Sequence, residues 1–333
     1  MNVVKRPRPR AKSLKPKARS LKPSAQSLKP GAPAVGVIGL GIMGSAMSRN
    51  LMRARHAVVG FDVLEKRRQE LRRAGGQVAA DNDEIAARAQ IMVTSLPSAS
   101  ALQDVVAEIA SAPRRRGILI ETSTFPIAVK EDARERLRAA GITMLDCPIS
   151  GTGVQAVTRD IVVYASGDRA AYWRVSHVLD GFCRAHYYVG SFGAGSRMKF
   201  VANLLVAIHN VAAAEAMVLG MKAGLDPALV LKVITDGAGA SRMLQVRGPM
   251  MVKGDYSKAS MKLEVWQKDM TVIADFAREI GAATPLFATT APIYAAAIAM
   301  DRREEDTAAV CAVLEQMAGV QRQRTAESAK PKA

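Results

Sequence analysis

The chain has too few of the residues that would build a disulfide scaffold or a metal centre. Its 333 residues include three cysteines and four histidines. Cys147, Cys183 and Cys311 are odd in number and far apart, so no disulfide framework is implied and reduced thiols in a cytoplasmic protein are expected. His56, His177, His186 and His209 lack the spacing of a ligand set, so no metal is expected. No apolar run is long enough and free enough of polar residues to argue for a membrane span. Acidic residues are missing before Ala34, where Lys5, Arg6, Arg8, Arg10, Lys12, Lys15, Lys17, Arg19, Lys22 and Lys29 stand. These ten positives leave +7 of the net charge of +17 to the rest of the chain, a modest excess for a folded body.

That basic start repeats Ser-Leu-Lys-Pro at Ser13, Ser20 and Ser27. Such a tract buries too little apolar surface to order itself and reads as a tail over 1–33. It could touch a polyanion such as nucleic acid weakly, through salt-sensitive contacts, or serve as a transit peptide whose prolines spoil an amphipathic helix. A secretory signal is excluded, because the apolar run after it is needed as the first strand of a nucleotide site.

That site carries the strongest signal. Ala34 to Ile38 reads as a buried strand, followed by Gly39, Gly41 and Gly44 in G-x-G-x-x-G spacing, a helical pattern, and a second apolar run from Ala57 to Phe61 that ends in Asp62. Gly39 permits the tight turn, Gly41 lets backbone approach a pyrophosphate, and Gly44 lets helix pack on strand. The helix N-terminus offers N–H groups and a partial positive charge to the phosphates. Asp62 stands where a carboxylate can accept from both ribose hydroxyls of NAD, and its charge would repel the 2′-phosphate of NADP. NAD is therefore the preferred cofactor, with NADP as the other possibility.

Further strands are expected at Ile91–Ser95, Gly117–Ile120, Thr143–Leu145, Ile161–Ala165 and His186–Val189, with helical patterns such as Glu65 to Ala74 and Val129 to Ala140 between them. This alternation implies a mostly parallel α/β sheet covered on both faces, a Rossmann-type domain over 34–195. Ligands in such sheets sit at the carboxyl ends of the strands, which groups Leu96-Pro97, Thr122-Ser123-Thr124 and Ser150-Gly151 around one crevice. From Ser196 to Ala223 the sequence becomes rich in Ala, Met and Leu and reads as one long helix, and all beyond it reads helical. An all-α domain over 196–320, joined by that helix, and a polar tail over 321–333 follow. A long helix with apolar side chains on several faces suits contact with a second subunit, so a homodimer or homotetramer is expected.

Near the start of the long helix, Lys199 and Asn203 are four residues apart and share one face. A lysine partly out of water beside a cationic nicotinamide has its pKa pushed down and can exchange a proton near neutral pH. By themselves a Lys and an Asn on a helix usually mark a solvated face.

The motifs together resemble the β-hydroxyacid dehydrogenase family, which includes 3-hydroxyisobutyrate dehydrogenase and tartronate semialdehyde (2-hydroxy-3-oxopropionate) reductase and belongs to the 6-phosphogluconate dehydrogenase superfamily. The similarity runs from about Ala34 to Ala318, through GLGIMGSAMSRNL at Gly39, SLP at Ser95, TSTFP at Thr122, CPISG at Cys147, GAGSRMKFVAN at Gly193 and QKDM at Gln267. The resemblance implies hydride transfer between a nicotinamide and a small carboxylate-bearing β-hydroxy acid or semialdehyde. It makes Lys199 the general acid/base and has Asn203 orient the substrate, while Ser150 and the backbone at Gly151 and Thr152 hold its carboxylate. Cofactor contacts fall to Gly39, Gly41, Ile42, Met43, Gly44, Asp62, Leu96, Pro97, Thr124 and Lys268. The chain departs from the family where further glycines and a Gly-Thr would follow Gly151, for Thr152, Gln155 and Arg159-Asp160 stand there. Arg159 either adds a charge for a larger or more acidic substrate or salt-bridges to Asp160. The alternative function is a non-catalytic nucleotide sensor or nucleic-acid-associated protein using the basic tail.

Overall fold

The computed structural model describes residues 34–111 and 117–322, so the basic tail and the last eleven residues lie outside it. The strands are β1 (Ala34–Ile38), β2 (Val58–Phe61), β3 (Gln77–Val78), β4 (Ala89–Thr94), β5 (Gly117–Glu121), β6 (Ile142–Asp146), β7 (Ile149–Ser150), β8 (Val162–Ser166) and β9 (Ala185–Gly190). Among them run α1 (Ile42–Arg53), α2 (Glu65–Arg73), α3 (Asn82–Arg88), α4 (Ala99–Ser111), α5 (Ile127–Ala139), α6 (Gly153–Val157) and α7 (Arg169–Phe182). The rest is helical: α8 (Ala194–Lys222), α9 (Pro227–Asp236), α10 (Arg242–Lys253), α11 (Leu263–Glu279), α12 (Pro285–Ala299) and α13 (Val310–Met317).

The first six strands are parallel in the order β3-β2-β1-β4-β5-β6, the doubly wound Rossmann arrangement. Strand order reverses between β1 and β4, so the glycine turn after β1 and Leu96 after β4 open onto one switch point. Burial explains why these runs carry no polar alternation. Val35 and Val37 of β1 pack with Met47 and Leu51 of α1 on one face, and Ile38 packs with Ile85 and Leu102 on the other. All seven strands expected from the sequence form; the short β3 and β7 were not anticipated. Beyond β6 the sheet becomes mixed, because β8 runs antiparallel to both β6 and β7 and parallel to β9. Between β6 and β8 the chain forms the short β7 and the five-residue α6, and it is β7 that pairs back on β8 in antiparallel register.

α8 corrects one expectation. Its 29 residues include an 18-residue stretch with a mean hydropathy of 1.7, long and apolar enough to cross a membrane. It is packed instead as a core helix, with Ala207, Ala214 and Met217 in the apolar cluster of the helical region and Asn210 donating to the Tyr294 hydroxyl at 3.0 Å and the Thr307 carbonyl at 2.9 Å. Its start is fixed by close approach to the sheet: a Cβ on Gly195 would sit 2.4 Å from the Tyr164 carbonyl oxygen and 2.7 Å from that of Asp146. The three cysteines are buried and unpaired.

Candidate active site

The parallel strands bring their carboxyl ends to one edge, and backbone bonds continue the ladder past the last paired residues. Gly39 donates to Phe61 at 2.9 Å, Ser95 to Ile38 at 3.0 Å, Thr122 to Thr94 at 3.1 Å and Cys147 to Glu121 at 2.8 Å. The turns carrying Gly39, Leu96, Thr124 and Ser150 are thereby set side by side.

The three glycines meet different demands. Gly39 has φ +84°, and a Cβ there would lie 2.2 Å from the Ser95 carbonyl oxygen. A Cβ on Gly44 would lie 1.8 Å from the Gly39 carbonyl oxygen, so α1 can rest on the turn only without one. Around Gly41, the N-cap of α1, a Cβ would meet nothing within 4 Å. The open space lies against a helix start that no side chain caps, where the first-turn N–H groups of an α-helix have no partner within the helix. A pyrophosphate fits this cradle. Asp62 closes its far end: Oδ2 accepts from Leu40 N–H at 2.7 Å and Oδ1 from Leu64 N–H at 2.8 Å. Leu96 is tied in by its N–H, which donates to Ser123 Oγ at 2.9 Å, while Pro97 is exposed beside it. Met43 packs into the core, whereas Ile42 is 69% exposed beside Gly153, where a Cβ would meet Ile42 Cγ2 at 2.2 Å. The turn near Ser150 therefore lies against the glycine turn.

Lys199 and Asn203 both turn inward from α8. Burial pushes the Lys199 pKa below the ordinary lysine value, with Asp269 opposing the fall and Lys268 adding to it. Asn203 Nδ2 donates to Asp269 Oδ2 at 2.8 Å, and Lys268 Nζ lies 3.6 Å from Asp269 Oδ1. Lys268 also donates to the Thr124 carbonyl at 3.0 Å and lies 5.1 Å from the centre of the Phe125 ring. The structure thus joins Lys199, Asn203, Lys268 and Thr124 around Asp269, whose place between two lysines the sequence reading missed. Burial raises the Asp269 pKa and the two lysines pull it back. The Lys-Asp pair in QKDM was the available signal, although 66 residues separate Asp269 from Asn203.

The turn after β7 differs from expectation in two ways. Thr152 N–H, assigned to a substrate carboxylate, already donates to Gln155 Oε1 at 3.0 Å, so a carboxylate there would displace Gln155 or rely on Ser150 and Gly151. Gly151 has φ +137° and packs on Ile161, where a Cβ would meet Cγ2 at 2.6 Å. Arg159 takes neither role considered for it. At φ +63° it swings to the C-terminal end of α7 and donates to the Asp180 and Cys183 carbonyls, where helix carbonyls lack partners and a cation is favoured. Asp160 pairs instead with Arg184 at 2.9 Å and with Arg242, at the start of α10, at 3.2 Å. It also accepts from Gln155 Nε2 at 3.3 Å, and this bond and Arg184 lead in holding its pKa below the usual aspartate value.

The comparisons with known proteins agree with this geometry. Residues 34–190 match the family model described as the NAD binding domain of 6-phosphogluconate dehydrogenase. Residues 193–314 match the one described as NAD-binding of NADP-dependent 3-hydroxyisobutyrate dehydrogenase. The chain is 34% identical to an L-threonate dehydrogenase of Cupriavidus necator, over 83% of this chain and 94% of that one. It is 30% identical to a 2-(hydroxymethyl)glutarate dehydrogenase of Eubacterium barkeri, over 86% and 96% respectively. Among solved structures, a 3-hydroxyisobutyrate dehydrogenase from Salmonella typhimurium superposes with a TM-score of 0.77 at 30% identity, covering 85% of this chain and all of that one.

Proposed function

Because the chain belongs to the β-hydroxyacid dehydrogenase family and is an NAD(P)-dependent oxidoreductase, we propose that it interconverts a small β-hydroxy acid and its semialdehyde, of the 3-hydroxyisobutyrate or 2-hydroxy-3-oxopropionate type, with Lys199 as general acid/base. The observation that carries this reading is a buried lysine on the same helix face as Asn203, across from the Thr124 turn of the dinucleotide crevice. When bound, the nicotinamide donates or accepts the hydride. Lys199 delivers a proton to the carbonyl oxygen during reduction and takes the hydroxyl proton during oxidation. Asn203, held by Asp269, orients that oxygen, and Ser150 with Gly151 receives the carboxylate. Lys268, seated on Thr124, serves the cofactor side. The non-catalytic reading is not favoured, since the relatives named above are dehydrogenases.

NAD is the proposed cofactor. Asp62 places a carboxylate where the 2′-phosphate of NADP would fall. The nearby Arg68 is already engaged, 2.5 Å from Glu65 Oε2 and lying over the Phe61 ring. The exposed apolar residues Val201 and Leu205 of α8 support a homodimer or homotetramer. The test is a coupled absorbance screen of NADH and NADPH with methylmalonate, tartronate and succinate semialdehydes, and of NAD and NADP with their alcohols and L-threonate. It is run on enzyme of mass measured by light scattering. Turnover with at least one pair, and higher kcat/KM with NADH, is expected; no turnover with any pair would overturn the reading.

Asp269 allows a pH prediction. Its charge opposes the fall of the Lys199 pKa, so Asp269→Asn should lower that pKa further. Reduction needs the ammonium and is lost as pH rises through this pKa, so its limb moves to lower pH in the variant. Oxidation needs the free amine and gains its full rate at lower pH. Profiles of kcat in both directions check this; an unmoved limb would show that Asp269 does not tune Lys199.

A further inference from the structure

Lys130 is a fully buried cation outside the groups assigned to the reaction. Its side chain and those of Glu121 and Asp146 are all 0% exposed. Glu121 ends β5, Asp146 ends β6, and the two are register partners, so adjacent strands release a carboxylate each at the edge that carries the site. Lys130, on α5, sets its Nζ 2.6 Å from Glu121 Oε2 and 2.8 Å from Asp146 Oδ1, and donates to the Ser123 carbonyl at 2.6 Å. Two of its donors bond the Ser123 carbonyl and the Asp146 carboxylate, while Glu121 Oε2, which has no well-aligned donor, is held as an ion pair. Bringing such ions out of water costs several kcal/mol each, and well-packed apolar residues commonly replace them without loss. Stability alone therefore does not account for the cluster.

Its connections do. Toward the cofactor, Glu121 Oε1 accepts the Ser123 N–H at 2.8 Å, Ser123 Oγ holds Leu96, and the neighbouring Thr124 carbonyl receives Lys268. Toward the proton donor, Asp146 Oδ2 accepts the Ser196 N–H at 2.8 Å and Oδ1 the Ser196 hydroxyl at 2.9 Å. Ser166 Oγ reaches Asp146 Oδ2 at 3.2 Å and accepts the Gly195 N–H at 2.9 Å. Asp146 thereby anchors the first turn of α8, where an anion is favoured, and Lys199 lies three residues further along.

We propose that Lys130 is a positioning residue: by holding the Ser123 carbonyl and the Asp146 carboxylate on one ammonium, it fixes the start of α8, and with it Lys199, against the Ser123–Thr124 turn on the nicotinamide side. The proposal rests on the reading of Lys199 as the acid/base. Lys130 itself touches neither substrate nor cofactor, and acts by setting the distance between the two segments that do.

Lys130→Met keeps the length of the side chain and removes the charge. Because it leaves two carboxylates uncompensated, the double variant K130M/E121Q is made beside it; this keeps the net buried charge at the native −1 and leaves Asp146 to cap α8. In both, kcat is expected to fall by about 10- to 100-fold, the cost of displacing reacting groups by about an ångström, with much smaller changes in KM and in NADH affinity. The limb of the kcat–pH profile set by Lys199 should move to higher pH as water enters beside the loosened helix. Hydrogen exchange should show the Ser123 and Ser196 amides losing protection together. A folded variant with native kcat, native pH limb and independent protection of the two amides would overturn the proposal and leave the cluster a stability element. If the parent enzyme itself turns over no hydroxy acid, the acid/base reading fails on its own, and the exchange measurement still decides whether Lys130 couples the two segments.

Discussion

Lys199→Ala is expected to lower turnover by about 10²- to 10⁴-fold in both directions, the usual contribution of a positioned acid/base, while NADH affinity stays within a few-fold of the parent. The separation follows from where the groups stand. The pyrophosphate cradle is built from the glycine turn, α1 and Asp62, and Lys199 belongs to none of these. Its depressed pKa comes first from burial, which makes the ammonium a readier acid than a solvated lysine, and Asp269 keeps that fall in check. Removing the side chain therefore deletes proton transfer and leaves the nucleotide site intact. Stopped-flow reduction and oxidation, with NADH binding followed by fluorescence, separate the two effects. Activity within tenfold of the parent would remove Lys199 from the acid/base role, and a matching loss of NADH binding would make it a cofactor residue instead.

Local patterns in the sequence proved readable where a short stretch of chain dictates its own geometry. The G-x-G-x-x-G turn is one case, since the demands on Gly39 and Gly44 arise from contacts within the unit and with the adjacent strand. Lys199 and Asn203 are another, because four residues on a helix fix a common face whatever surrounds it. What stayed hidden depends on partners distant in sequence. Asp269 reaches Asn203 from a helix in the second half of the chain. The direction of Arg159 depended on a positive φ that spacing does not reveal, and on free carbonyls at the end of α7. The reversal at β8 lies in its antiparallel pairing with β6 and β7, which no residue within the strand announces. Nothing in the helical stretch around Lys130 announces the two carboxylates that β5 and β6 bring beside it.

Gly44→Ala and Gly41→Ala should both weaken NADH binding by at least about 30-fold, close to 2 kcal/mol, yet only the first should destabilise the fold. At Gly44 the new methyl would lie 1.8 Å from the Gly39 carbonyl oxygen. That oxygen has little room to retreat, because Gly39 is held to Phe61 and the neighbouring Ser95 to Ile38. α1 must therefore lift off the turn, carrying away the first-turn N–H groups of Ile42 and Met43 at an overpacking cost of ~1–3 kcal/mol. At Gly41 the methyl meets nothing within 4 Å, so the fold tolerates it, while the space a pyrophosphate would fill becomes occupied. Thermal unfolding without nucleotide, set beside NADH titration, distinguishes the two causes. A Gly41→Ala protein that binds NADH as the parent does would mean that the pyrophosphate does not approach the backbone there. A Gly44→Ala protein of unchanged stability would mean that α1 does not rest on the Gly39 turn.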